Sequence, residues 1–293
     1  MSTESKSRKL LGMTLPTLAV AGGVGALGYL RNRFQRQKLF GPDRYPEAVR
    51  DAAELGLEIE DRWFAASDDV RLHGWWIPRR RAFGTLLYCH GSSGSLGHQV
   101  GLLAVLRRLR VNLFAFDYRG YGRSEGEPSE PGLFRDVRAA WDHLVEKLGV
   151  APREILLFGH SLGGAVAIDC ALDRPAAGLI VESSFTQVRD MARASHPGLP
   201  LHLVARNQFR SIHKVGRLSL PKLFIHGGAD ERVPAALGRR LYEAAAEPRE
   251  LYLVPGAGHN DVHLQGGARY LRRLGRFRGH CLRAGAMPAT SAV

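Results

Sequence analysis

The chain has 293 residues, 45% of them apolar, enough for one large domain with short tails. Three cysteines, an odd number without regular spacing, exclude a disulfide framework and suit a reducing or indifferent compartment. The net charge of +13 raises nucleic-acid binding, but the basic residues are spread along the chain, with no DNA- or RNA-reading module and no basic–aromatic stacking platform. A basic surface facing anionic lipid headgroups accounts for the charge better, and no nucleic-acid partner is expected.

In chain order, residues 1–9 form a basic tail. Leu10 to Leu30 is an uncharged apolar run of the length that crosses a bilayer. Lys6, Arg8 and Lys9 flank it on one side and Arg31, Arg33, Arg36 and Lys38 on the other. It is read as a transmembrane anchor. The rival is a signal peptide cleaved after Ala19-Val20-Ala21, although the apolar run continues past that point to Arg31. A buried or surface helix is the third reading. The more basic C-terminal flank puts the following domain in the cytoplasm by the positive-inside rule. Residues 31–56 are read as a basic juxtamembrane linker.

From residue 57 the pattern is that of an α/β domain, 57–275. Strands are predicted over Leu57 to Ala65, Val70 to Ile77, Thr85 to Cys89, Val111 to Phe116, Glu154 to Phe158, Gly178 to Val181, Lys222 to His226 and Glu250 to Val254. Helices are predicted over Gly97 to Leu109, Gly132 to Leu148, Ser161 to Leu172, Ala235 to Ala246 and Asp261 to Leu274. Near-continuous apolar strands alternating with helices imply a mostly parallel eight-stranded sheet covered on both faces. The turn Ser67-Asp68-Asp69 makes the first two strands an antiparallel hairpin. A short cap is expected over 183–220, with a helical piece (Thr186 to Ala194), the breaker stretch His196 to Pro200, and Leu201 to Gln208. So small a lid suggests an open site, suited to a substrate carried on a larger body or to a small ester. Cys89 and Cys170 are read as packed in the core, and Cys281 as lying in a disordered basic tail, 276–293.

Phe158-Gly159-His160-Ser161-Leu162-Gly163-Gly164 places a G-x-S-x-G on a strand-to-helix junction, the setting of a nucleophile elbow. A serine needs a base and an orienting acid. His259, in the Pro/Gly-rich loop after the last strand, is the candidate base, and Asp230, after the strand ending at His226, the candidate acid. Serine, acid, histidine, each after a strand, is the chain order of α/β-hydrolases. The oxyanion hole is expected from the N–H groups of Leu162 and of Ser92, or Ser93 one residue on, in His90-Gly91-Ser92-Ser93-Gly94. Glu182 is an alternative acid, while Glu231 and Asp261 are read as solvated carboxylates. His90 and His160 read as packing and hydrogen-bonding residues, and His263 as a surface helix residue. His259 and His263 have the spacing of two metal ligands, but Asn260 stands where a zincin needs Glu, so no metal is expected.

With these motifs the chain resembles the membrane-anchored branch of the α/β-hydrolase-domain serine hydrolases, which includes budding-emergence-type hydrolases and protein depalmitoylases. The resemblance spans roughly residues 57 to 275. It rests on HGSSG (90–94), DYRGYGRSEGEPSEPGLFRDVRAAWDHL (117–144), GHSLGG (159–164), ESSFTQVRDMA (182–192), PKLFIHGGADERVP (221–234) and PGAGHND (255–261). It implies an α/β-hydrolase fold, Ser161 as nucleophile, Asp230 as acid, His259 as base, and a structural role for residues 117–124. Ser92 and Ser93 stand where many relatives carry Asn after His-Gly, which changes a side chain but not the backbone donor.

The function expected is cofactor-free hydrolysis of a carboxylic ester or thioester through an acyl-enzyme. The alternatives are a peptidase on the same fold and a catalytically silent binding scaffold. Acyl-chain length and oligomeric state stay open.

Overall fold

Eight strands pair into one sheet: β1 (Glu60–Ala65), β2 (Arg71–Ile77), β3 (Thr85–Cys89), β4 (Asn112–Phe116), β5 (Ile155–His160), β6 (Gly178–Glu182), β7 (Lys222–Gly227) and β8 (Arg249–Val254). Their order is β8-β7-β6-β5-β3-β4-β2-β1. β2 runs antiparallel to both its neighbours and every other pairing in the sheet is parallel. The computed structural model describes residues 39–43, 51–195 and 208–284. The expected anchor 10–30 with its basic flank, and the breaker stretch 196–200, lie outside them. Among the described residues no helix is long and apolar enough to cross a membrane.

The central strands β3, β5, β6 and β7 are buried on both faces because both faces are covered. In β3, Leu87 and Cys89 point into one core with Val166 of the helix after β5, and Leu86 and Tyr88 into a second with Leu103. The helices of eight residues or more are α1 (Val100–Arg107), α2 (Glu130–Glu146), α3 (Leu162–Cys170), α4 (Val188–Ser195), α5 (Ala235–Ala244) and α6 (Val262–Ala284). Ser129 caps α2, its Oγ accepting the Gly132 N–H at 3.2 Å. In the described part of the cap, the Gln208 and Phe209 amides donate to the Glu130 carboxylate at 2.6 and 2.9 Å, fastening the chain over the start of α2.

Three of the differences from the sequence reading concern the limits of the domain. α6 passes through a break at Gly267 (φ 48°, ψ −129°) and continues to Ala284, well past the expected domain end at 275. Its second half presents Leu274, Phe277 and Cys281 inward, all buried, so Cys281 is a core residue and not part of a tail. The expected linker 31–56 is partly docked: Phe40 is buried against Phe209, and Gly41–Pro42 pairs with Ser93–Gly94. The first strand starts at Glu60, three residues after the predicted start at Leu57, whose side chain is buried in the core ahead of the strand.

Sheet order sets where a ligand can bind. The chain leaves β3 for β4 on one side and later returns to β5 on the other, so a crevice opens at the carboxyl ends of β3 and β5. The HGSSG loop and the G-x-S-x-G turn both begin there.

Candidate active site

The turn between β5 and α3 is strained by construction. Ser161 has φ 54° and ψ −117°, a backbone region that costs a non-glycine residue about 1–3 kcal/mol. The surroundings hold it there: the Ser161 N–H donates to the Glu182 carbonyl at 2.8 Å, and Ser184 Oγ–H donates to the Ser161 carbonyl, also at 2.8 Å. No side chain fits on either flank. A Cβ on Gly159 would lie 2.2 Å from the Gly163 carbonyl oxygen, and one on Gly163 would lie 2.0 Å from that of Cys89. The two glycines therefore let the elbow close.

The loops after β7 and β8 meet over this turn. The Gly228 N–H donates to the Val254 carbonyl and the Ala229 N–H to that of Ala257, each at 2.8 Å. Asp261, read from sequence as a solvated carboxylate, shapes the second loop by accepting the Gly258 N–H at 2.6 Å. The result brings Ser161, His259 and Asp230 into line: His259 Nε2 lies 3.0 Å from Ser161 Oγ, and its Nδ1 lies 2.8 Å from Asp230 Oδ2. Asp230 Oδ1 accepts the N–H groups of Arg232 and Val233 at 3.0 and 2.8 Å. Burial pushes the Asp230 carboxyl up, but hydrogen bonds from His226, His259 and the Val233 amide outweigh it and hold the group well below the usual carboxylate range. An anion at Asp230 keeps the proton on His259 Nδ1 and leaves Nε2 facing the serine as acceptor.

His160 stands beside them in a different role. Its Nε2–H donates to the His259 carbonyl at 3.0 Å, fixing the backbone that carries that imidazole. Burial, with the charge of His259 nearby, pushes His160 down to about 4, so it stays neutral around pH 7.

Leu162 is the first residue of α3, whose first-turn amides have no intrahelical acceptor. Across the crevice, His90 Nδ1–H donates to the Gly91 carbonyl at 2.7 Å. In a trans peptide this turns the Ser92 N–H away from the imidazole. Tyr118 and Tyr121 hold the same loop from below, donating to the carbonyls of His90 and Ser92 at 2.9 and 2.8 Å. Ser93, the neighbouring candidate, stands opposite Gly41 in a short parallel pairing, in which the Gly41 N–H donates to the Ser92 carbonyl at 2.7 Å. Residues 117–124 supply these tyrosines, and Asp117 Oδ1 accepts the Leu96 N–H at 2.9 Å, so the segment buttresses the loop.

The cleft in front of Ser161 measures about 540 Å³, and Ser92, His98, His160, Glu182, Arg232 and His263 are among its lining. His263, read as a surface helix residue, lies in the first turn of α6, half-buried at this wall. Glu182, the alternative acid, is occupied elsewhere: Tyr270 Oη–H donates to it at 2.7 Å, and burial pushes its carboxyl up to about 7. Among the described residues no His, Cys, Asp and Glu cluster is placed to hold a metal. One residue escaped the sequence reading: His226 at the end of β7, whose Nε2 lies 3.3 Å from Asp230 Oδ2. Its only signal is position, four residues before the acid.

Over 267 residues the chain is 36% identical to an uncharacterized protein of Mycobacterium tuberculosis, covering 90% of this chain and 94% of that one. It is 35% identical over 240 residues to the alpha/beta hydrolase domain-containing protein WAV2 of Arabidopsis thaliana, covering 74% of this chain and 78% of WAV2. The chain belongs to the α/β-hydrolase family. This hydrolase is also 36% identical over 194 residues to alpha/beta hydrolase domain-containing protein 17B of Xenopus laevis, with 66% of this chain and 65% of that one covered. Residues 80–211 of the hydrolase match the family described as serine aminopeptidase, S33. Among solved structures, the esterase Pf2001 of Pyrococcus furiosus superposes with a TM-score of 0.70 at 22% identity, over 83% of the hydrolase and 99% of the esterase. An alpha-beta hydrolase of Vibrio vulnificus gives 0.70 at 20% identity, over 86% and 93%. At these identities the two structures speak to the fold alone.

Proposed function

We propose that this α/β-hydrolase is a serine hydrolase that cleaves a carboxylic ester or thioester through an acyl-enzyme. The observation that carries the reading is the continuous chain of hydrogen bonds from Asp230 through His259 to Ser161 Oγ. Ser161 Oγ attacks the acyl carbonyl while His259 Nε2 takes its proton, and the Leu162 and Ser92 N–H groups receive the oxyanion. The imidazolium then protonates the departing alkoxide or thiolate. Water, deprotonated by His259, frees the acid and restores Ser161. Asp230 holds the imidazole and stabilises its charge without taking the proton. No cofactor takes part.

The likeness of residues 80–211 to serine aminopeptidases favours a second reading, in which the same serine cleaves amides. Amide cleavage asks His259 to protonate a much poorer leaving group. A matched panel of aryl esters, aryl thioesters and aminoacyl anilides, run on the full-length chain and on Ser161→Ala, separates the readings. Ester or thioester turnover that vanishes in the variant supports the first; anilide turnover at comparable rate supports the peptidase. Turnover of none by a folded chain returns the binding scaffold.

With this reading goes attachment to a membrane through Leu10 to Leu30, as in the branch the sequence resembles, with the catalytic domain on the cytoplasmic face. An uncharged apolar run between two basic flanks supports it. Retention of the full chain in alkali-washed membranes, lost on deleting residues 1–30, tests it. Recovery in the soluble fraction after the wash would count against it.

A further inference from the structure

His226 is buried, the mechanism above does not use it, and it bonds to the acid of the site. Its Nε2 lies 2.8 Å from the Val233 carbonyl oxygen, which can only accept, so this nitrogen carries the proton. The same N–H lies 3.3 Å from Asp230 Oδ2, the oxygen that receives His259 Nδ1–H at 2.8 Å. Two imidazoles therefore converge on one carboxylate oxygen, while Oδ1 is held by two backbone amides.

The fold reserves space for this second imidazole. A Cβ on Gly238 of α5 would lie 2.2 Å from His226 Nδ1, so the helix passes there with hydrogen in place of a side chain. Phe224, two residues earlier on the same face of β7, packs in the ordinary apolar core, so that core does not by itself call for a polar residue at 226. The charged groups around His226 are Asp230 on its own loop, His259 beyond that carboxylate, and Glu182 on the neighbouring strand β6.

We propose that His226 is a positioning residue for Asp230. The inference rests on the serine-hydrolase reading above. Amide bonds to Oδ1 alone leave the carboxylate able to rock about that oxygen; the His226 N–H fixes Oδ2, and with it the angle at which His259 is presented to Ser161. His226 also shares the negative charge of Oδ2. Without it that charge falls wholly on His259 and stabilises the imidazolium.

The test compares three variants of the full-length chain with wild type on whichever aryl ester it turns over, with Ser161→Ala in the same assay. His226→Asn shortens the side chain so that its N–H no longer reaches Oδ2. His226→Gln places an amide N–H near the former Nε2. Gly238→Ala pushes the imidazole aside without altering its chemistry. In His226→Asn and Gly238→Ala, kcat should fall roughly ten- to a hundredfold, the worth of a hydrogen bond to a charged group, with KM little changed. The acid limb of kcat/KM should move to higher pH, and His226→Gln should restore most of the rate. A folded His226→Asn with the wild-type rate and acid limb overturns the proposal. So does a loss shared equally by His226→Gln, or a loss seen in KM alone, since either reports packing only. If His226→Asn does not fold, Gly238→Ala decides by the same criteria. Undiminished turnover by Ser161→Ala would instead overturn the serine-hydrolase reading itself.

Discussion

The N–H of Ser161 donates to the carbonyl of Glu182 at 2.8 Å, so the strained elbow hangs from a residue whose own carboxyl is buried beside the cleft under Tyr270. Burial pushes Glu182 up to about 7 from an ordinary 4.5. The folded state therefore binds this proton more tightly than the unfolded one. The stability it contributes is full below 4.5 and is lost as pH rises through 7, up to about 3 kcal/mol. Glu182→Gln should lose this dependence, so its melting temperature should gain on wild type between pH 4.5 and 8. Thermal melts across that range check it; a constant gap between the two proteins contradicts it.

The elbow tolerates no Cβ on its flanks. Gly159→Ala and Gly163→Ala each drive a methyl group to within 2.2 Å of a backbone oxygen. Both should destabilise by more than about 2 kcal/mol and abolish turnover, because the backbone must move to relieve the clash. Denaturant melts and ester turnover measure the two effects, and a fully active Gly163→Ala would contradict this account of the turn.

Behind the loop that carries Ser92, the proposed oxyanion donor, Tyr121 Oη–H donates to the Ser92 carbonyl. Tyr121→Phe removes one neutral hydrogen bond, and the Gly41 N–H still reaches the same carbonyl at 2.7 Å. A loss of about 1 kcal/mol in transition-state binding, some fivefold in kcat with KM steady, is predicted. Steady-state ester kinetics read this directly. An effect confined to KM would place the tyrosine on the substrate side.

Much of this was legible in the sequence because one physical signal dominated. The central strands of the sheet are apolar runs bounded by turn residues, and the chain order of Ser161, Asp230 and His259 follows their three strands. The misreadings fall where charge hides burial. Arg276, Arg278 and Arg283 make the chain after residue 275 read as a tail, although Phe277 and Cys281 continue the buried stripe of Leu274 at helical spacing. Phe40 is a single anchor in an otherwise basic stretch, too little to register as part of a domain. His226 offered only its position four residues before the acid, because the rest of its meaning depends on Gly238, a contact across two elements.

The reassigned C-terminal helix makes its own prediction. Ending the chain at residue 275 removes Phe277 and Cys281, both buried, and uncovers the side of the sheet around Gly178. The loss should exceed about 3 kcal/mol from apolar burial alone, seen as a lower melting temperature or insoluble product. A truncated chain as stable as the full one would return 276–284 to the tail.

The central claim is an activated serine at position 161, and covalent labelling tests it most directly. The full-length chain should react with a fluorophosphonate probe, peptide mass mapping should place the adduct on Ser161, and Ser161→Ala should not label. Asp230→Asn and His259→Ala should label far more slowly than wild type. Equal labelling of wild type and Ser161→Ala, or no labelling of folded wild type, would contradict the account.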